Sequence, residues 1–546
     1  MSVDGVDTAA LRKARGAFFT PSQVASYITA WAVRSAEDSV LEPSCGEAAF
    51  LVPAVQRLRS MGAPQELSGQ VVGAELHETS ARLAVAAVAA AGAEVTVQVG
   101  DFLLSEPVPR FDVVVGNPPY VRYQDFTGES RAAAKRAALR AGVALSNLAS
   151  SWAAFSVHSA LHVKPGGRLG LVLPAEILSV NYAAPIREFL MREFGSVRLV
   201  LFTERVFPGV SEDVVLLLAE GRGAGPTDHC ELLHARNAAS LVDLVDDDIR
   251  RWSPAIGDRW SLALVHPDAG TAYREIVSRD HFEPLQRWGE TTLGMVTGNN
   301  AFFTLTTAEV RARGLTESDI EPLSPPGSRH LRRVLSLRDL EALDDSLPTW
   351  LFRPHGEPSR AARAYIREGE KRNVHAAYKC RVRTPWWRVP YLKPADLLLT
   401  YMNADAPRLA GNPVVAHHLN SVHGVYLSND RRVLGRDLLP LAALNSVTLL
   451  GAELVGRSYG GGVLKMEPRE ADVWPMPSLA HIREHENRLR ACRPEVTRLL
   501  SAGSIFDAVA LVDEVLLAHV PEDLLQVVRD GRAALHDRRS ARSRSK

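Results

Sequence analysis

The sequence has few cysteines and no excess of either charge, and both absences narrow what the chain can be. The 4 cysteines among 546 residues, Cys45, Cys230, Cys380 and Cys492, lie far apart and form no Cys-x-x-Cys pair. This spacing argues against a zinc ribbon or a disulfide framework and favours a reduced, cytoplasmic setting. Lysine plus arginine and aspartate plus glutamate each number 63, so the formal net charge is +0. Any nucleic-acid surface must therefore come from local basic clusters.

Signals for membrane insertion and secretion are lacking as well. No uninterrupted apolar run reaches the roughly 18 residues needed to span a bilayer, and the Met1–Asp7 stretch is acidic and polar. We therefore expect neither secretion nor membrane insertion. What the chain has is an ordinary globular composition, 46% hydrophobic and 23% charged, over a length that suits roughly three domains.

Apolar strand-like segments alternate with helix-like segments over about the first 220 residues. Such repeats predict an α/β fold with a Rossmann-like, mostly parallel seven-stranded sheet covered by helices on both faces. The strands near Val197–Phe202 and Asp213–Leu218 are joined by a short connection, so we expect a hairpin at one edge of the sheet. The stretch Gly221–Pro226 has the composition of a linker, which predicts a domain boundary after residue 225.

Two turns in this first part precede helices. Thr20 followed by Pro21 is typical of a helix N-cap and first turn. Further on, a strand leads through the turn Glu42–Gly46 into a second helix, and a glycine there lets the backbone approach a ligand closely. The sequence is not Gly-x-Gly-x-x-Gly, since Ala48 stands where a second glycine is expected, and Glu42 is a poor neighbour for phosphate. This turn therefore predicts a nucleoside ligand without phosphates.

Polar side chains stand at the ends of four successive predicted strands. Glu42, Glu75 and Asp101 follow the first three, and Asn117 follows the buried segment Val113–Val115. Because ligands of open parallel sheets bind at the carboxyl ends of the strands, we expect these four side chains along one edge. The acid at the tip of the second strand is at the position that usually grips a ribose diol.

The fourth strand ends in the loop Asn117-Pro118-Pro119-Tyr120. Gly116 gives the backbone freedom to turn, and each proline fixes φ and removes a donor. The sequence therefore predicts a rigid loop that holds the Asn117 amide and the Tyr120 ring in place. An ordinary turn after a strand is the alternative interpretation of this segment taken alone.

Six short motifs occur in a fixed order between about residues 10 and 220. They are Gly-x-x-Phe-Thr-Pro (Gly16–Pro21), Glu-Pro-x-Cys-Gly (Glu42–Gly46), Glu75, Gly-Asp-Phe (Gly100–Phe102), Asn-Pro-Pro-Tyr (Asn117–Tyr120) and Val-Phe-Pro (Val206–Pro208). In this order they resemble the S-adenosylmethionine-dependent adenine-N6 DNA methyltransferases, in the arrangement typified by TaqI methylase. Asn-Pro-Pro-Tyr alone also occurs in methyltransferases acting on ribosomal RNA or on protein glutamine.

The resemblance implies S-adenosylmethionine as the cofactor, bound at the strand ends. Ala48 departs from the commoner glycine, which affects the shape of the first loop. The implied cofactor residues are Thr20, Glu42, Pro43, Cys45 and Gly46 around the methionine part, Glu75 at the ribose, Leu76 beside the adenine, Asp101 at the adenine amino group, and Phe102 with Phe155 on the two sides of the adenine ring.

The resemblance also assigns Asn117, Pro118, Pro119 and Tyr120 as the catalytic residues. The side-chain oxygen of Asn117 and the carbonyl of Pro118 would accept the two hydrogens of the target amine, which frees the nitrogen lone pair for attack. Since an adenine in a duplex is buried, it would be flipped out and stacked against Tyr120 and Phe207. This chemistry calls for no metal and no covalent nucleophile.

The second half of the chain carries basic residues interleaved with aromatic ones, a composition that suits contact with phosphates and base edges. After a DNA-modifying domain, we interpret it as a target-recognition domain. His417, His418 and His423 lack a cysteine or acidic partner at ligand spacing, so we interpret them as structural. The expected DNA contacts are Arg372, Lys379, Arg381, Arg383, Trp386 and Trp387.

The sequence thus predicts an S-adenosylmethionine-dependent methyltransferase domain over residues 1–225, an α+β target-recognition domain over 226–478 and a helical segment with a basic tail over 479–546. The leading hypothesis is a monomeric adenine-N6 methyltransferase of double-stranded DNA, paired with a separate restriction endonuclease. The alternatives are a methyltransferase acting on RNA or protein glutamine, and a DNA-binding specificity subunit without activity. A fused endonuclease lacks support, because no Asp…Glu-x-Lys cluster lies outside the first domain.

Overall fold

The computed structural model describes residues 20–204, 206–207, 213–254, 259–340, 342–459 and 461–544. Gly16, Phe19 and Pro208 of the sequence motifs lie outside the described residues. The chain divides into two compact units, one made of residues 1–264 with 541–546 and the other of residues 265–540.

The first unit is built on a sheet of nine strands in the order β3-β2-β1-β4-β5-β7-β6-β8-β9. The strands are β1 (Val40–Glu42), β2 (Val71–Glu75), β3 (Thr96–Val99), β4 (Phe111–Gly116), β5 (Val163–Pro174), β6 (Phe194–Phe202), β7 (Val214–Arg222), β8 (Cys230–Ala235) and β9 (Arg250–Trp252). The helices are α1 (Ser22–Ala32), α2 (Leu51–Ser60), α3 (Glu78–Ala90), α4 (Gly128–Arg140), α5 (Ser151–His162), α6 (Glu176–Ser179) and α7 (Ala184–Glu193).

The predicted α/β class and mostly parallel sheet are confirmed, whereas the count of seven strands is wrong. Strands β1 to β5 pair in parallel, and β7 runs antiparallel between β5 and β6. The pair of β6 and β7 is the expected hairpin, but it does not form the edge. Strand β8 pairs in parallel with β6, and β9 pairs antiparallel with β8.

Alternating side chains of the strands fill two apolar layers, one on each face of the sheet. In β4, Val113 and Val115 pack into the layer that also holds side chains of α1, α2 and α3, whereas Val114 packs into the layer with α4, α5 and α7. Because successive strand residues point to opposite faces, continuous apolar runs are what a sheet covered on both sides requires. The expected helices on both faces are therefore present.

The first unit continues past the expected boundary at residue 225. The stretch Gly221–Pro226 is a packed turn between β7 and β8, since a Cβ added to Gly225 would lie 2.1 Å from the carbonyl oxygen of Arg192. Glycine is needed here for close backbone approach rather than for flexibility. Strands β8 and β9 then extend the sheet, and the unit ends at Leu264.

The second unit mixes helices with four small antiparallel sheets within its described residues. Its strands are β10 (Phe282–Pro284), β11 (Gly289–Leu293), β12 (Thr304–Leu305), β13 (Ile320–Pro322), β14 (Trp350–Phe352), β15 (Leu397–Thr400), β16 (Met402–Asn403), β17 (Leu409–Gly411), β18 (Val422–Leu427), β19 (Arg457–Tyr459), β20 (Val463–Lys465) and β21 (Pro475–Pro477). Its helices up to the expected tail are α8 (Pro267–Val277), α9 (Asn300–Phe303), α10 (Thr307–Arg313), α11 (Arg360–Lys371), α12 (Tyr378–Arg381), α13 (Arg432–Ala442), α14 (Ser446–Val455) and α15 (Pro468–Asp472).

The expected helical segment after residue 478 is helical where the structure describes it. It contains α16 (Leu479–Glu484), α17 (Glu486–Ala502), α18 (Ile505–Leu516) and α19 (Glu522–Arg544). Up to Ser540 these helices belong to the second compact unit rather than to a third one. Across the described residues, no single helix is long and apolar enough to cross a membrane, although α13 and α14 meet that criterion as a pair bent by 90°.

Candidate functional site

The carboxyl ends of the parallel strands bring the predicted polar residues to one edge of the sheet. Strand β1 pairs with β2 on one side and with β4 on the other, so the sheet order reverses between β1 and β4. This is the switch point at which open α/β sheets bind their ligands. A Cβ added to Gly116 would lie 3.3 Å from Cδ of Pro43, which shows that the loops after β1 and β4 touch.

The NH2 group of the Asn117 side chain forms a hydrogen bond, whereas its oxygen has no partner among the described residues. Its Nδ2 donates to the hydroxyl oxygen of Thr20 at 3.2 Å. Its Oδ1 is buried and accepts no hydrogen bond from the residues that the structure describes. Thr20 therefore does not cap the helix as the sequence suggested, and α1 begins after Pro21 with no side-chain cap. The hydroxyl orients the Asn117 amide instead.

The Asn-Pro-Pro-Tyr loop is fixed by Ser151, a residue that sequence reasoning missed. The backbone N–H of Val121 donates to Oγ of Ser151 at 2.8 Å, and the Ser151 hydroxyl donates to the carbonyl of Pro119. The Ser151 N–H donates in turn to the carbonyl of Val121 at 3.0 Å. Because two prolines leave the loop short of donors of its own, this buried serine at the start of α5 supplies the missing bonds.

Glu42 is fully enclosed at the end of β1, where it is 1% exposed. Its carboxylate accepts from the backbone N–H groups of Phe50, at 3.2 Å, and Leu51, at 2.8 Å, at the N-terminus of α2. Burial raises the pKa of Glu42 well above its ordinary value, and the nearby Glu75 raises it further, although the two N–H donors oppose the shift. A cationic ligand beside these carboxylates would reverse that effect.

Glu75 ties the first loop to the end of β2. Its Oε2 accepts from the N–H of Gly46 at 2.9 Å, and its Oε1 accepts from the N–H of His77 at 2.9 Å. Gly46 has a φ of +50°, and a Cβ added there would meet nothing within 4 Å. Ala48 also has a left-handed backbone, with a φ of +70°, a conformation that glycine adopts more readily than alanine. The backbone of this loop is therefore left-handed at both positions and leaves open space beside Gly46 for a ligand.

The residues expected around an adenine ring are together but differently arranged. Rings Phe102 and Phe155 lie 5.7 Å apart between centroids and pack against each other. A ring stacked between them needs about 7 Å, twice a van der Waals contact, so the expected sandwich does not exist in this structure. The Asp101 side chain accepts from the N–H of Leu103 at 2.9 Å and from the hydroxyl of Ser130 on α4. Leu76 is 58% exposed at the strand end.

The two rings expected to stack on a target base are both in the first unit. The Tyr120 hydroxyl donates to the carbonyl of Val172 at 3.0 Å, which fixes the ring beside β5. Phe207 is 4% exposed and packs in the same apolar layer that Tyr120 borders. The Phe207 ring is therefore packed in the core of this structure and is not accessible for stacking on a base.

The residues at the strand ends suit the expected cofactor in shape and chemistry. Gly46 leaves open space for a close ligand, and Glu42 and Glu75 supply carboxylates beside it. Cys45 is a buried residue of the same loop. Burial and the two carboxylates raise the pKa of its thiol, so the side chain stays uncharged. Thr20 and Pro43, which are expected around the methionine part, lie beside Asn117 and Gly116 at this edge.

The expected DNA-contacting residues of the second unit separate into two groups. Arg383 donates to the carbonyl of Thr297 at 2.7 Å and to that of Val296, and the indole of Trp386 donates to Glu370 at 3.3 Å. These two side chains therefore form contacts within the unit. The others remain exposed or half-buried: Lys379 and Arg381 flank the exposed Tyr378 ring, Arg372 pairs with Glu368 at 3.2 Å, and Trp387 lies under Arg388.

The three histidines interpreted as structural are buried in the second unit. His417 bonds to the carbonyl of Leu392 at 2.9 Å, and His423 bonds to that of Met466 at 2.9 Å. Burial lowers the pKa of His418 to about 4. The bonds of His417 and His423 to backbone carbonyls agree with a structural role, whereas neither ring nitrogen of the buried His418 has a hydrogen-bond partner among the described residues.

Comparisons with known proteins cover nearly the whole chain. The N-6 DNA methylase profile matches residues 7–250, and that of the C-terminal domain of type II methyltransferase M.Eco57I matches residues 257–517. Type II methyltransferase M.XamI of Xanthomonas campestris pv. amaranthicola is 26% identical over 483 residues, and M.AccI of Acinetobacter calcoaceticus is 21% identical over 482, each match covering 86% of both chains. The type IIL restriction–modification enzyme MmeI, solved in complex with DNA, is 11% identical with a TM-score of 0.59, over 95% of this chain and 75% of that chain. At that identity the likeness concerns the fold alone.

Proposed function

Because the chain belongs to the N6-adenine DNA methyltransferase family, we propose that it methylates the N6 amino group of an adenine flipped out of double-stranded DNA. It is a DNA methyltransferase of the restriction–modification type. The observation that carries the proposal for the site is the buried Oδ1 of Asn117, which faces no donor among the described residues and is oriented by Thr20.

The chemistry explains why an amide serves here. The exocyclic amine of adenine is a poor nucleophile, because its lone pair is delocalised into the ring. Oδ1 of Asn117 and the carbonyl of Pro118 accept its two hydrogens and draw the nitrogen toward a tetrahedral shape. Neutral acceptors that are fixed in advance stabilise the positive charge that develops on this nitrogen. The bonds to Thr20 and Ser151 keep the acceptors in place before the base arrives.

S-adenosylmethionine, when bound, supplies a methyl group activated by its sulfonium. Glu42 and Glu75 would counter the positive charges of that molecule, and Glu75, at the tip of β2, would hold its ribose hydroxyls. Asp101 and Leu76 are the candidates beside its adenine. Holding the amine in line with the methyl group supplies much of the rate enhancement.

We further propose that Tyr120 stacks on the flipped adenine, with Phe207 as the second ring after a movement that uncovers it. The second unit, with exposed Lys379 and Arg381, acts as the target-recognition domain. The enzyme works as a monomer in the cytoplasm, with the motif arrangement typified by TaqI methylase, and a separate endonuclease cleaves unmodified sites. No metal takes part in the methyl transfer.

The test is transfer of tritium from methyl-labelled S-adenosylmethionine to defined acceptors. We expect label in duplex DNA that contains the recognition site. We expect none in a duplex of the same sequence in which every adenine is replaced by 7-deazapurine, a base that lacks the N6 amine. Label that enters RNA or protein glutamine but never duplex DNA would overturn the proposal. Binding of duplex DNA without any transfer would favour a specificity subunit instead.

A further inference from the structure

Four histidines and a glutamate gather at one place in the second unit, outside the methyl-transfer site. His481 and Glu484 lie on α16, and His485 follows at the corner between α16 and α17. One ligand atom from each of these three side chains lies within 4.8 Å of the others, and Nδ1 of His481 is 3.9 Å from Oε2 of Glu484. The spacing i, i+3, i+4 puts all three on one side of a helical turn.

The buried imidazole of His481 has its Nδ1 atom on the side of Glu484. It is 2% exposed, and its Nε2–H donates to the carbonyl of Leu516 at 2.8 Å. Because that nitrogen carries the proton, Nδ1 holds the lone pair of the neutral imidazole, and it is buried without a hydrogen-bond partner among the described residues. A carbonyl that fixes the tautomer in this way is the usual outer partner of a metal-binding histidine.

Two more imidazoles border the same place. His281 stacks on His481 with ring centroids 4.5 Å apart, and Nδ1 of His281 is 3.0 Å from Nε2 of His519. The ring centroid of His519 lies 5.7 Å from that of His481. Both imidazoles are therefore close to the three side chains of the cluster.

We propose that His481, Glu484 and His485 bind a divalent transition metal of the zinc type, with the exposed His519 as a further ligand. Imidazole nitrogen and carboxylate oxygen form the ligand set that zinc accepts, at about 2.0–2.2 Å. The ligand atoms lie farther apart than a bound ion requires, and rotation of the exposed Glu484 and half-buried His485 side chains closes the gap.

The proposed ion would stabilise the second unit rather than take part in methyl transfer. It would join the corner between α16 and α17 to the turn between α18 and α19, which carries His519. The sequence signal is His481-x-x-Glu484-His485, two histidines four residues apart with an acid between them.

The experiment uses the full-length protein, treated with a chelator, loaded with zinc chloride and dialysed. We expect about one zinc per chain by elemental mass spectrometry, a Tm raised by zinc, and visible absorption of the cobalt-loaded protein typical of a tetrahedral site. His485→Gln and Glu484→Gln should weaken zinc binding by more than about tenfold. His536→Gln, which alters a histidine paired with Asp537 elsewhere in the unit, should bind zinc as the wild type does.

The proposal is overturned if the wild type retains no zinc, or if His485→Gln retains as much as His536→Gln. Because Glu484 is exposed and His485 half-buried, neither change removes a core side chain. Circular dichroism of the chelated variants shows whether they fold. If His485→Gln is unfolded, Glu484→Gln decides the test.

Discussion

At the scale of single residues, the central arrangement is the division of labour within the Asn117 amide. Its NH2 group is used to fix the side chain against Thr20, and its oxygen is kept for a ligand. A buried acceptor without a partner costs stability, about 1–3 kcal/mol. That cost is typical of a site prepared for a donor that arrives with the substrate.

Removing the hydroxyl that holds Asn117 should slow methyl transfer without removing it. Thr20→Val keeps the shape of the side chain but loses the bond from Nδ2 of Asn117. We expect the single-turnover rate on duplex DNA to fall about threefold to tenfold, which corresponds to about 0.7–1.4 kcal/mol. Thr20→Ser keeps the hydroxyl and should stay near the wild-type rate. An unchanged rate in Thr20→Val would show that the bond does not orient the amide.

The buried carboxylate of Glu42 gives a prediction about pH. Burial raises its pKa above the ordinary 4.5. The free energy of unfolding therefore falls as the pH rises from 4.5 through the raised pKa, because the carboxyl group ionises more readily in the unfolded chain than in the folded one. Glu42→Gln should therefore unfold at an equal or higher Tm than the wild type at pH 8, and the difference should shrink toward pH 4.5. Glu47→Gln, a change at an exposed residue of the same loop, is the control. A Tm several degrees lower in Glu42→Gln at pH 8 would show that the bonds from Phe50 and Leu51 outweigh the desolvation.

At the scale of elements, the catalytic loop depends on the start of α5. Ser151→Ala removes the acceptor of the Val121 N–H and the donor to the Pro119 carbonyl. We expect faster amide hydrogen exchange at Tyr120 and Val121, and a loss of about 1–3 kcal/mol in the stability of the loop. Hydrogen exchange read by mass spectrometry measures both.

The matched control for that change is Ser156→Ala, one turn further along α5. Ser156 is buried and donates to the carbonyl of Trp152 at 2.8 Å, so its loss removes a bond of similar kind away from the loop. Equal protection of the loop amides in Ser151→Ala and Ser156→Ala would contradict the role given to Ser151.

The basic segment around α12 provides a test of DNA contact. Lys379→Ala and Arg381→Ala should each weaken duplex binding severalfold and lower the slope of log affinity against log salt by about 0.9 for each lost phosphate contact. Arg383→Ala should instead lower Tm, because Arg383 donates to the backbone carbonyls of Val296 and Thr297. Binding titrations at several salt concentrations, with Tm measured beside them, separate the two effects. Equal salt slopes in all three variants and the wild type would remove this surface from the interface.

At the scale of the whole molecule, the sequence predicted the sheet edge that carries the site but not how far the sheet extends. The order of Glu42, Glu75, Asp101 and Asn117 at strand ends was readable because parallel strands bring their carboxyl ends together. The structure divides the chain after Leu264 rather than after residue 225. The composition of Gly221–Pro226 is that of a linker, but Gly225 closely approaches the Arg192 carbonyl, a contact distant in sequence.

The same limit applies to the side chains of the site. Motif positions predicted which residues meet, whereas the hydrogen bonds from Asn117 to Thr20, from Ser151 to Pro119 and from Ser130 to Asp101 depend on three-dimensional packing. The contact between Phe102 and Phe155 could not be read either, since it depends on how α5 packs on the sheet. Local patterns therefore identified the chemistry, and tertiary contacts determined the geometry.

The most direct test of the account is nucleoside mass spectrometry of duplex DNA after incubation with S-adenosylmethionine and either the wild type or Asn117→Ala. We expect N6-methyldeoxyadenosine with the wild type and a loss of at least about a hundredfold with Asn117→Ala, while calorimetry shows similar cofactor binding by both proteins. Asn181→Ala, which alters an exposed asparagine of the same unit, should retain activity. Near-normal N6-methyldeoxyadenosine with Asn117→Ala, or methylated cytosine with the wild type, would contradict the account.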